Sequence, residues 1–142
     1  MDKTRTILIA EDDGDDAFIF RNACTLAALD HQLRFVRDGQ EAINYLQGKP
    51  PFGDREKSPE PHLLVADLKM PGVDGFDLLR WVRSTPKWKE LPVVVLSGSD
   101  YAGDKHRATQ LGASDYLVKP GWGDQMFELV RQLSTKYLRD LR

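Results

Sequence analysis

Short apolar runs recur along the chain, and each one stops at polar residues before a segment of helical periodicity. The five runs are residues 7–10, 33–36, 63–66, 91–96 and 116–118. In the segments that follow them, apolar residues recur at the spacing of helices that bury one face. Short continuous strands that alternate with helices indicate a parallel sheet covered on both sides. The sequence therefore predicts a doubly wound α/β sandwich with five parallel strands in the order 2-1-3-4-5.

The length of the chain sets the number of domains. Its 142 residues are enough for one domain, which we assign to residues 1–142 with a core of about 5–138. One segment departs from the alternating pattern, because Pro50, Pro51, Pro59 and Pro61 all lie between residues 48 and 61. Four prolines so close together exclude a helix interior. We therefore expect residues 48–61 to form a surface loop within the domain.

Composition narrows the class of protein. The net charge of −2 argues against direct nucleic-acid binding driven by positive charge. The single cysteine, Cys24, excludes an internal disulfide and agrees with a reducing compartment, and its helical spacing from Phe20 predicts a core position. No apolar stretch approaches the roughly 18 residues that a membrane span needs, and the N-terminus lacks an apolar signal core. We expect a cytoplasmic protein that does not bind a membrane.

Polar residues at the ends of the predicted strands are the candidates for chemistry, because ligands of open parallel sheets bind beyond the carboxyl ends of the strands. These residues are Glu11, Asp12, Asp13, Asp67, Ser97 and Lys119. Each has a plain structural interpretation when taken alone. Acids after a strand often cap the next helix, as Asp15 or Asp16 would here. Their expected convergence on one edge of the sheet is what favours a functional site.

The types of these side chains indicate metal-assisted phosphoryl chemistry. Two carboxylates 4 Å apart repel by about 4 kcal/mol at an effective dielectric near 20, so a cluster of them binds a proton or recruits a cation. Oxygen ligands without a nearby His or Cys favour Mg²⁺ or Mn²⁺ over zinc. Lys119 and Ser97 are natural partners for phosphoryl oxygens. Asp67 could be both a metal ligand and a nucleophile.

Four motifs together resemble the CheY-like response regulator receiver domains of two-component systems. The resemblance runs from about residue 5 to residue 138. The motifs are Ile7-Leu8-Ile9-Ala10-Glu11-Asp12-Asp13, Asp67-Leu68-Lys69-Met70-Pro71-Gly72-Val73-Asp74-Gly75, Val95-Leu96-Ser97-Gly98 and Asp115-Tyr116-Leu117-Val118-Lys119-Pro120. The resemblance implies a flavodoxin-like (βα)5 fold. It also implies that Asp67 accepts a phosphoryl group from a phosphohistidine of a sensor histidine kinase or a phosphotransfer protein.

The resemblance assigns the metal ligands and the groups that contact the phosphoryl oxygens. The Mg²⁺ (or Mn²⁺) ligands would be Asp12 directly, Glu11 through water, Asp67, and the backbone carbonyl of Lys69. The phosphoryl oxygens would be bound by Ser97, Lys119 and the N–H groups of Leu68 and Gly98. The small Gly98 would leave room for the donor imidazole. The Lys119–Pro120 peptide bond would be cis, which would aim the lysine ammonium at the phosphoryl group.

The resemblance also predicts how the signal leaves the site. Ser97 would move to bond the phosphoryl group, and Tyr116 would rotate into the space that Ser97 vacates. The face formed by the fourth helix, fifth strand and fifth helix would change, and the same face could form a homodimer. We expect a stand-alone phosphoacceptor that signals through protein contacts and is not an enzyme with a separate substrate.

Two features set this chain apart within the family, the residues Lys69 and Ser99 and the proline-rich loop, and Trp122 has two interpretations. Lys69 and Ser99 flank the expected phosphoryl position, where Lys69 could shield the phosphoaspartate or pair with Glu11. The loop at residues 49–60 resembles the longer loop of receivers that act with bacteriophytochrome-type kinases. Trp122 follows the Lys-Pro motif closely, so it could be a packing residue or part of a partner surface.

Three other functions are possible for a chain of this fold class: a phosphatase or phosphotransferase, a pseudo-receiver and a dinucleotide-binding domain. An Mg²⁺-dependent phosphatase or phosphotransferase of the haloacid-dehalogenase type would also use an aspartyl nucleophile. It would place an Asp-x-Asp run after the first strand, where this chain has Glu11-Asp12-Asp13. A pseudo-receiver that only binds partners disagrees with the intact set of Asp67, Ser97 and Lys119. A dinucleotide-binding domain is excluded because no Gly-x-Gly-x-x-Gly follows the first strand.

Overall fold

The computed structural model describes residues 5–120 and 123–138, in which strands and helices alternate. The elements are β1 (Thr6–Ala10), α1 (Gly14–Leu26), β2 (Gln32–Val36), α2 (Gly39–Gln47), β3 (Leu63–Ala66), α3 (Gly75–Ser84), β4 (Val93–Ser97), α4 (Ala102–Gln110), β5 (Asp115–Val118) and α5 (Gly123–Tyr137). The strands form one parallel sheet in the order β2-β1-β3-β4-β5. The predicted fold class and strand order are confirmed. Within the described residues, no helix is long and apolar enough to span a bilayer.

Helices cover both faces of the sheet, and alternate residues of each strand point to opposite faces. One face packs against α2, α3 and α4 around a cluster that includes Leu8, Leu64 and Val93. The other face packs against α1 and α5 around a cluster that includes Ile7 and Val65. This double burial explains why the central strands β1, β3 and β4 are continuous apolar runs, whereas the edge strands β2 and β5 are less buried and carry polar residues. The strand ends are consequently the places where polar groups can gather.

An aspartate caps the N-terminus of each of the first three helices, and the cap of α1 is not the residue that the sequence predicts. The Asp13 carboxylate accepts hydrogen bonds from the N–H groups of Asp15 at 2.8 Å and Asp16 at 3.2 Å. Asp13 is therefore the N-cap of α1, and the expectation that Asp15 or Asp16 caps this helix is wrong. The extended backbone of Asp13 lets its side chain reach back over the first turn, whereas the side chains of residues already in the helix cannot do so. Asp16 is thereby left free to point elsewhere.

α4 is the most loosely held of the helices that have described termini. It begins after Tyr101, whose side chain makes no capping bond, and Ala108 is its one buried residue. The helix ends at Gln110, shortly before Gly112, whose φ of +102° is in the left-handed region that favours glycine. A helix with so little buried surface is a segment that can shift at low cost in free energy.

The loop at residues 48–61 is held in place by Arg55, although it has no helix or strand of its own. The Arg55 guanidinium donates to the carbonyls of Tyr45 at 2.9 Å, Leu46 at 3.0 Å and Ser58 at 3.1 Å. The Tyr45 hydroxyl donates to the carbonyl of Pro59 at 2.7 Å. The bonds to Tyr45 and Leu46 supply side-chain donors to carbonyls of the last turn of α2, where backbone donors become scarce. The loop lies at the amino-terminal edge of the sheet, opposite the predicted site.

Gly75 allows the start of α3 to approach the end of β3 closely. Its N–H donates to the Leu68 carbonyl at 2.9 Å. A Cβ atom at this position would lie 2.3 Å from the Asp67 carbonyl oxygen and 2.7 Å from the Leu68 Cα. Both contacts are with backbone, so a side chain here would displace the segment that carries Asp67.

We expect Gly75→Ala to lower the free energy of unfolding by about 1–3 kcal/mol, because the added methyl group overpacks a backbone contact. Gly14→Ala is the matched control, since a Cβ there meets nothing within 4 Å. Urea denaturation followed by tryptophan fluorescence measures both changes. Equal stability of the two variants would show that the close approach at Gly75 is unimportant.

Candidate functional site

The backbone places the predicted site residues at one edge of the sheet. The Asp67 N–H donates to the Ala10 carbonyl at 3.1 Å, and the Lys119 N–H donates to the Ser97 carbonyl at 2.7 Å. Strand pairing therefore continues one residue beyond the ends of β3 and β5. Because all strands are parallel, Asp67 and Lys119 leave the sheet at the same edge as Glu11, which follows β1 directly.

The Lys119 ammonium lies at the centre of a cluster of carboxylates. Its Nζ is 2.7 Å from Glu11 Oε1, 2.7 Å from Asp16 Oδ2 and 2.9 Å from Asp67 Oδ2. The side chains of Glu11, Asp67 and Lys119 are only 7%, 11% and 15% exposed, whereas that of Asp16 is 36% exposed. One cation thus pairs with three acids that come from different parts of the sequence. With little water between them, the attraction is stronger than at a free surface.

Burial and pairing act in opposite directions on the pKa values of this cluster. Burial alone would lower the pKa of Lys119, but hydrogen bonds to Asp16, Glu11 and Asp67 outweigh it and hold that pKa above its ordinary value. Burial raises the pKa of Glu11 to about 7, although Lys119 and the Asp13 N–H favour its ionised form. Lys119 is therefore charged at neutral pH, and the Glu11 carboxyl, with a pKa of about 7, takes up a proton near neutral pH.

Glu11, Asp12 and Asp67 can share one cation. A carboxylate oxygen of each lies within 4.8 Å of the others. Asp12 is exposed to solvent, whereas Asp67 is buried. The Asp67 Oδ1 accepts a hydrogen bond from the Leu68 N–H at 2.7 Å. A donor set made only of oxygens with an open solvent side suits Mg²⁺ or Mn²⁺, which keep several waters. The three predicted carboxylate ligands thus meet at one place.

Ser97 and Tyr116 are connected through Ser99. Ser97 is 1% exposed, and its hydroxyl oxygen accepts the Ser99 N–H at 3.2 Å. The Tyr116 hydroxyl donates to the Ser99 carbonyl at 2.8 Å. The Ser99 hydroxyl donates to Asp104 of α4 at 2.7 Å. Ser99 therefore links the site to β5 and to the start of α4 through hydrogen bonds.

Two further predicted residues lie beside the acids. Nothing lies within 4 Å of a Cβ built on Gly98, so there is open space beside it. The Lys69 side chain is exposed. The sequence left two roles open for Lys69. The structure shows no ion pair between Lys69 and Glu11, both of which it describes, and the Glu11 carboxylate pairs with Lys119 instead.

One prediction at this site is wrong. The cis peptide bond found in residues 5–120 and 123–138 joins Pro50 to Pro51, and the Lys119–Pro120 bond is not cis. The Lys119 N–H bonds to Ser97, and from this backbone the side chain reaches all three carboxylates without a cis bond. Trp122, which had two competing interpretations, lies outside the described residues.

Sequence reasoning also missed two participants. The sequence predicts a capping role for Asp15 or Asp16, yet the Asp16 carboxylate binds Lys119. The sequence marks Ser99 only as a flanking residue, yet Ser99 makes four hydrogen bonds. The first turn of α1 lies next to the carboxyl end of β1, but that position alone does not distinguish an acid that caps the helix from one that binds a distant lysine. No sequence signal marks the role of Ser99.

Comparison with known proteins gives consistent matches. The family described as response regulator receiver domain matches residues 7–131. The response regulator Rcp1 of Synechocystis sp. is 31% identical over 134 residues, which cover 94% of this chain and 89% of Rcp1. A crystal structure of the phosphorylated cyanobacterial phytochrome response regulator RcpA is 29% identical with a TM-score of 0.87, covering 98% of this chain and 97% of RcpA. The Mn²⁺-bound crystal structure of Rcp1 is 30% identical with a TM-score of 0.83, covering 97% of both chains.

We expect Asp12→Asn to weaken Mg²⁺ and Mn²⁺ binding by about tenfold or more, because it removes one charged ligand. Asp15→Asn is the matched control, since it removes the same charge from an exposed neighbour in the first turn of α1. Isothermal titration calorimetry measures both affinities. An equal loss in the two variants would mean that the cations are attracted by the general negative charge and not by a defined set of ligands.

Proposed function

Because the chain belongs to the response regulator receiver family, we propose that it carries a phosphoryl group on Asp67, received from a histidine kinase or a phosphotransfer protein. The observation that carries this proposal is the position of the Lys119 ammonium, 2.9 Å from Asp67 Oδ2 and beside acids that can share a divalent cation. A nucleophilic carboxylate next to a fixed positive charge is what the transfer of an anionic group requires.

In the proposed reaction an Asp67 oxygen attacks the phosphorus of a phosphohistidine. The P–O bond forms as the P–N bond breaks, and the electron pair of the broken bond leaves with the imidazole nitrogen. Lys119 turns one N–H from the carboxylate to a phosphoryl oxygen and thereby neutralises charge that moves onto Asp67. A bound Mg²⁺ or Mn²⁺, held by Glu11, Asp12, Asp67 and the Lys69 carbonyl, would supply further neutralisation of the phosphoryl oxygens.

The surroundings of Asp67 leave room for a donor. The open space at Gly98 is where the ring of an incoming histidine could lie. The Leu68 N–H, which now donates to Asp67 Oδ1 at 2.7 Å, and the Gly98 N–H are in the segments that would face the phosphoryl oxygens. Positioned N–H groups of this kind stabilise charge that develops during transfer.

The proposed response to phosphorylation starts at Ser97. Its hydroxyl would donate to a phosphoryl oxygen, and Tyr116 would exchange its bond to Ser99 for a new position in the space that opens. α4 follows because Ser99 also holds Asp104, and the small buried area of that helix opposes the movement weakly. One charge-assisted hydrogen bond contributes roughly 1.5–3 kcal/mol, so phosphorylation alone biases the change and partner binding completes it.

The proposed partners follow from the same family membership. RcpA is a cyanobacterial phytochrome response regulator, and the loop at residues 49–60 resembles that of receivers that act with bacteriophytochrome-type kinases. Both support a kinase of this type as the proposed phosphodonor. The surface of α4, β5 and α5 is the proposed output and homodimer face, where Tyr101 is 68% and Val118 46% exposed. A kinase partner of this kind agrees with the predicted cytoplasmic location. The proposed role is that of a phosphoacceptor, so repeated turnover of a small phosphoester would instead favour the phosphatase alternative.

We expect the protein to gain one phosphoryl group when it is incubated with phosphoramidate and Mg²⁺. Asp67→Asn should abolish the gain, because the amide is not a nucleophile toward phosphorus. Asp124→Asn, which changes an exposed residue of α5 in the same way, is the control and should behave like the wild type. Phosphate-affinity gels and intact mass spectrometry measure the modification. Undiminished phosphorylation of the Asp67 variant would exclude Asp67 as the acceptor.

We expect phosphorylation to change amide hydrogen exchange several-fold in α4 and β5. Ser97→Ala should accept the phosphoryl group and lose most of this change, because its side chain can no longer bond the phosphoryl group. Ser84→Ala, at an exposed position in α3, is the control. Hydrogen exchange with mass spectrometry, carried out with and without the phosphodonor, makes the comparison. A full response in the Ser97 variant would rule out the proposed switch.

A further inference from the structure

Lys119 has a third partner outside the metal cluster. The ammonium has three N–H groups, and its three carboxylate partners are Glu11, Asp67 and Asp16. Glu11 and Asp67 also belong to the group of acids that can hold a divalent cation, whereas Asp16 does not. Asp16 therefore contacts the lysine without also being a candidate metal ligand.

The other two partners of Lys119 change during the proposed reaction cycle. Asp67 ceases to be a free carboxylate when it is esterified, so its bond to Lys119 must pass to a phosphoryl oxygen. Glu11 shares its charge with a cation when one is bound, and its other oxygen already accepts the Asp13 N–H at 3.1 Å. The 2.7 Å contact between Asp16 and Lys119 depends on neither event.

Asp16 is itself held firmly. It lies in the first turn of α1, and its backbone N–H is bound by the capping carboxylate of Asp13 at 3.2 Å. Its side chain is 36% exposed, which leaves room for water on the side away from Lys119. A partly hydrated carboxylate on a capped helix is a stable anchor for a flexible four-carbon side chain, whose many rotamers are otherwise costly to fix.

We propose that Asp16 is a positioning residue for phosphoryl transfer: it anchors the Lys119 ammonium through both the free and the phosphorylated states, so that a remaining N–H stays aimed at the reacting group. The proposal rests on the proposed function of Asp67. A plain alternative is that the ion pair only fastens α1 to the end of β5. The two interpretations differ in what they predict for stability, metal affinity and rate.

The experiment compares Asp16→Ala, Asp16→Asn and the control Asp15→Asn in the full chain. For each variant it measures the rate constant for phosphorylation by phosphoramidate at saturating Mg²⁺, the Mg²⁺ affinity and the midpoint of urea unfolding. We expect Asp16→Ala to lower the rate constant by about ten- to a hundredfold, the cost of a misplaced catalytic group. We expect its Mg²⁺ affinity to stay within about twofold of the wild type, because Asp16 is not one of the three clustered acids.

The conservative variant separates anchoring from charge. Asp16→Asn keeps an oxygen that can accept the lysine N–H, so we expect it to recover to within about fivefold of the wild-type rate. Asp15→Asn removes the same charge from the neighbouring residue and should leave the rate unchanged.

Three results would overturn the proposal: an Asp16→Ala rate equal to the wild type, a rate loss matched by Asp15→Asn, or a loss of rate that is fully accounted for by weaker Mg²⁺ binding or by unfolding. Absence of phosphorylation in the wild type is distinguishable from these results. It would refute the function of Asp67 and the inference with it.

Discussion

The contact between one lysine ammonium and three carboxylates is the interaction on which the candidate site depends. Glu11, Asp67 and Asp16 come from the ends of two strands and the first turn of a helix, and Lys119 comes from the end of a third strand. Without the lysine, these acids would face one another with little water between them, which is costly. The parallel register of the sheet brings the four groups together, so the fold and the electrostatics of the site depend on each other.

The charge balance of the site bears on the proposed binding of a metal and a phosphoryl group. Glu11, Asp16 and Asp67 contact one ammonium, and Asp12 lies near Glu11 and Asp67, so the site is strongly negative when all four acids are ionised. A further anion can enter only if a cation accompanies it, and the pKa of about 7 for Glu11 shows how close the site already is to taking up a proton. By thermodynamic linkage, if the phosphoryl group raises the affinity of the site for the metal, the metal must raise the affinity of the site for the phosphoryl group by the same factor.

The fold could be predicted from the sequence because double burial leaves a strong pattern: the three central strands β1, β3 and β4 are short apolar runs, and each run is followed by polar residues. The convergence of Glu11, Asp67 and Lys119 followed from parallel topology alone. Asp16 could not be assigned, because an acid in the first turn looks the same in sequence whether it caps the helix or binds a distant lysine. The cis bond expected at Lys119–Pro120 was carried over from the family and is not present here.

The bonds that Arg55 makes to the end of α2 have a practical consequence for engineering. The bonds to Tyr45 and Leu46 fix the middle of the segment at residues 48–61 to the end of α2, while Gly53 within it is exposed. The segment lies at the amino-terminal edge of the sheet, and the acids lie at the opposite edge. A fluorescent label or an affinity peptide attached near Gly53 would therefore lie far from the acids, so the protein could be detected or immobilised without a change at the site.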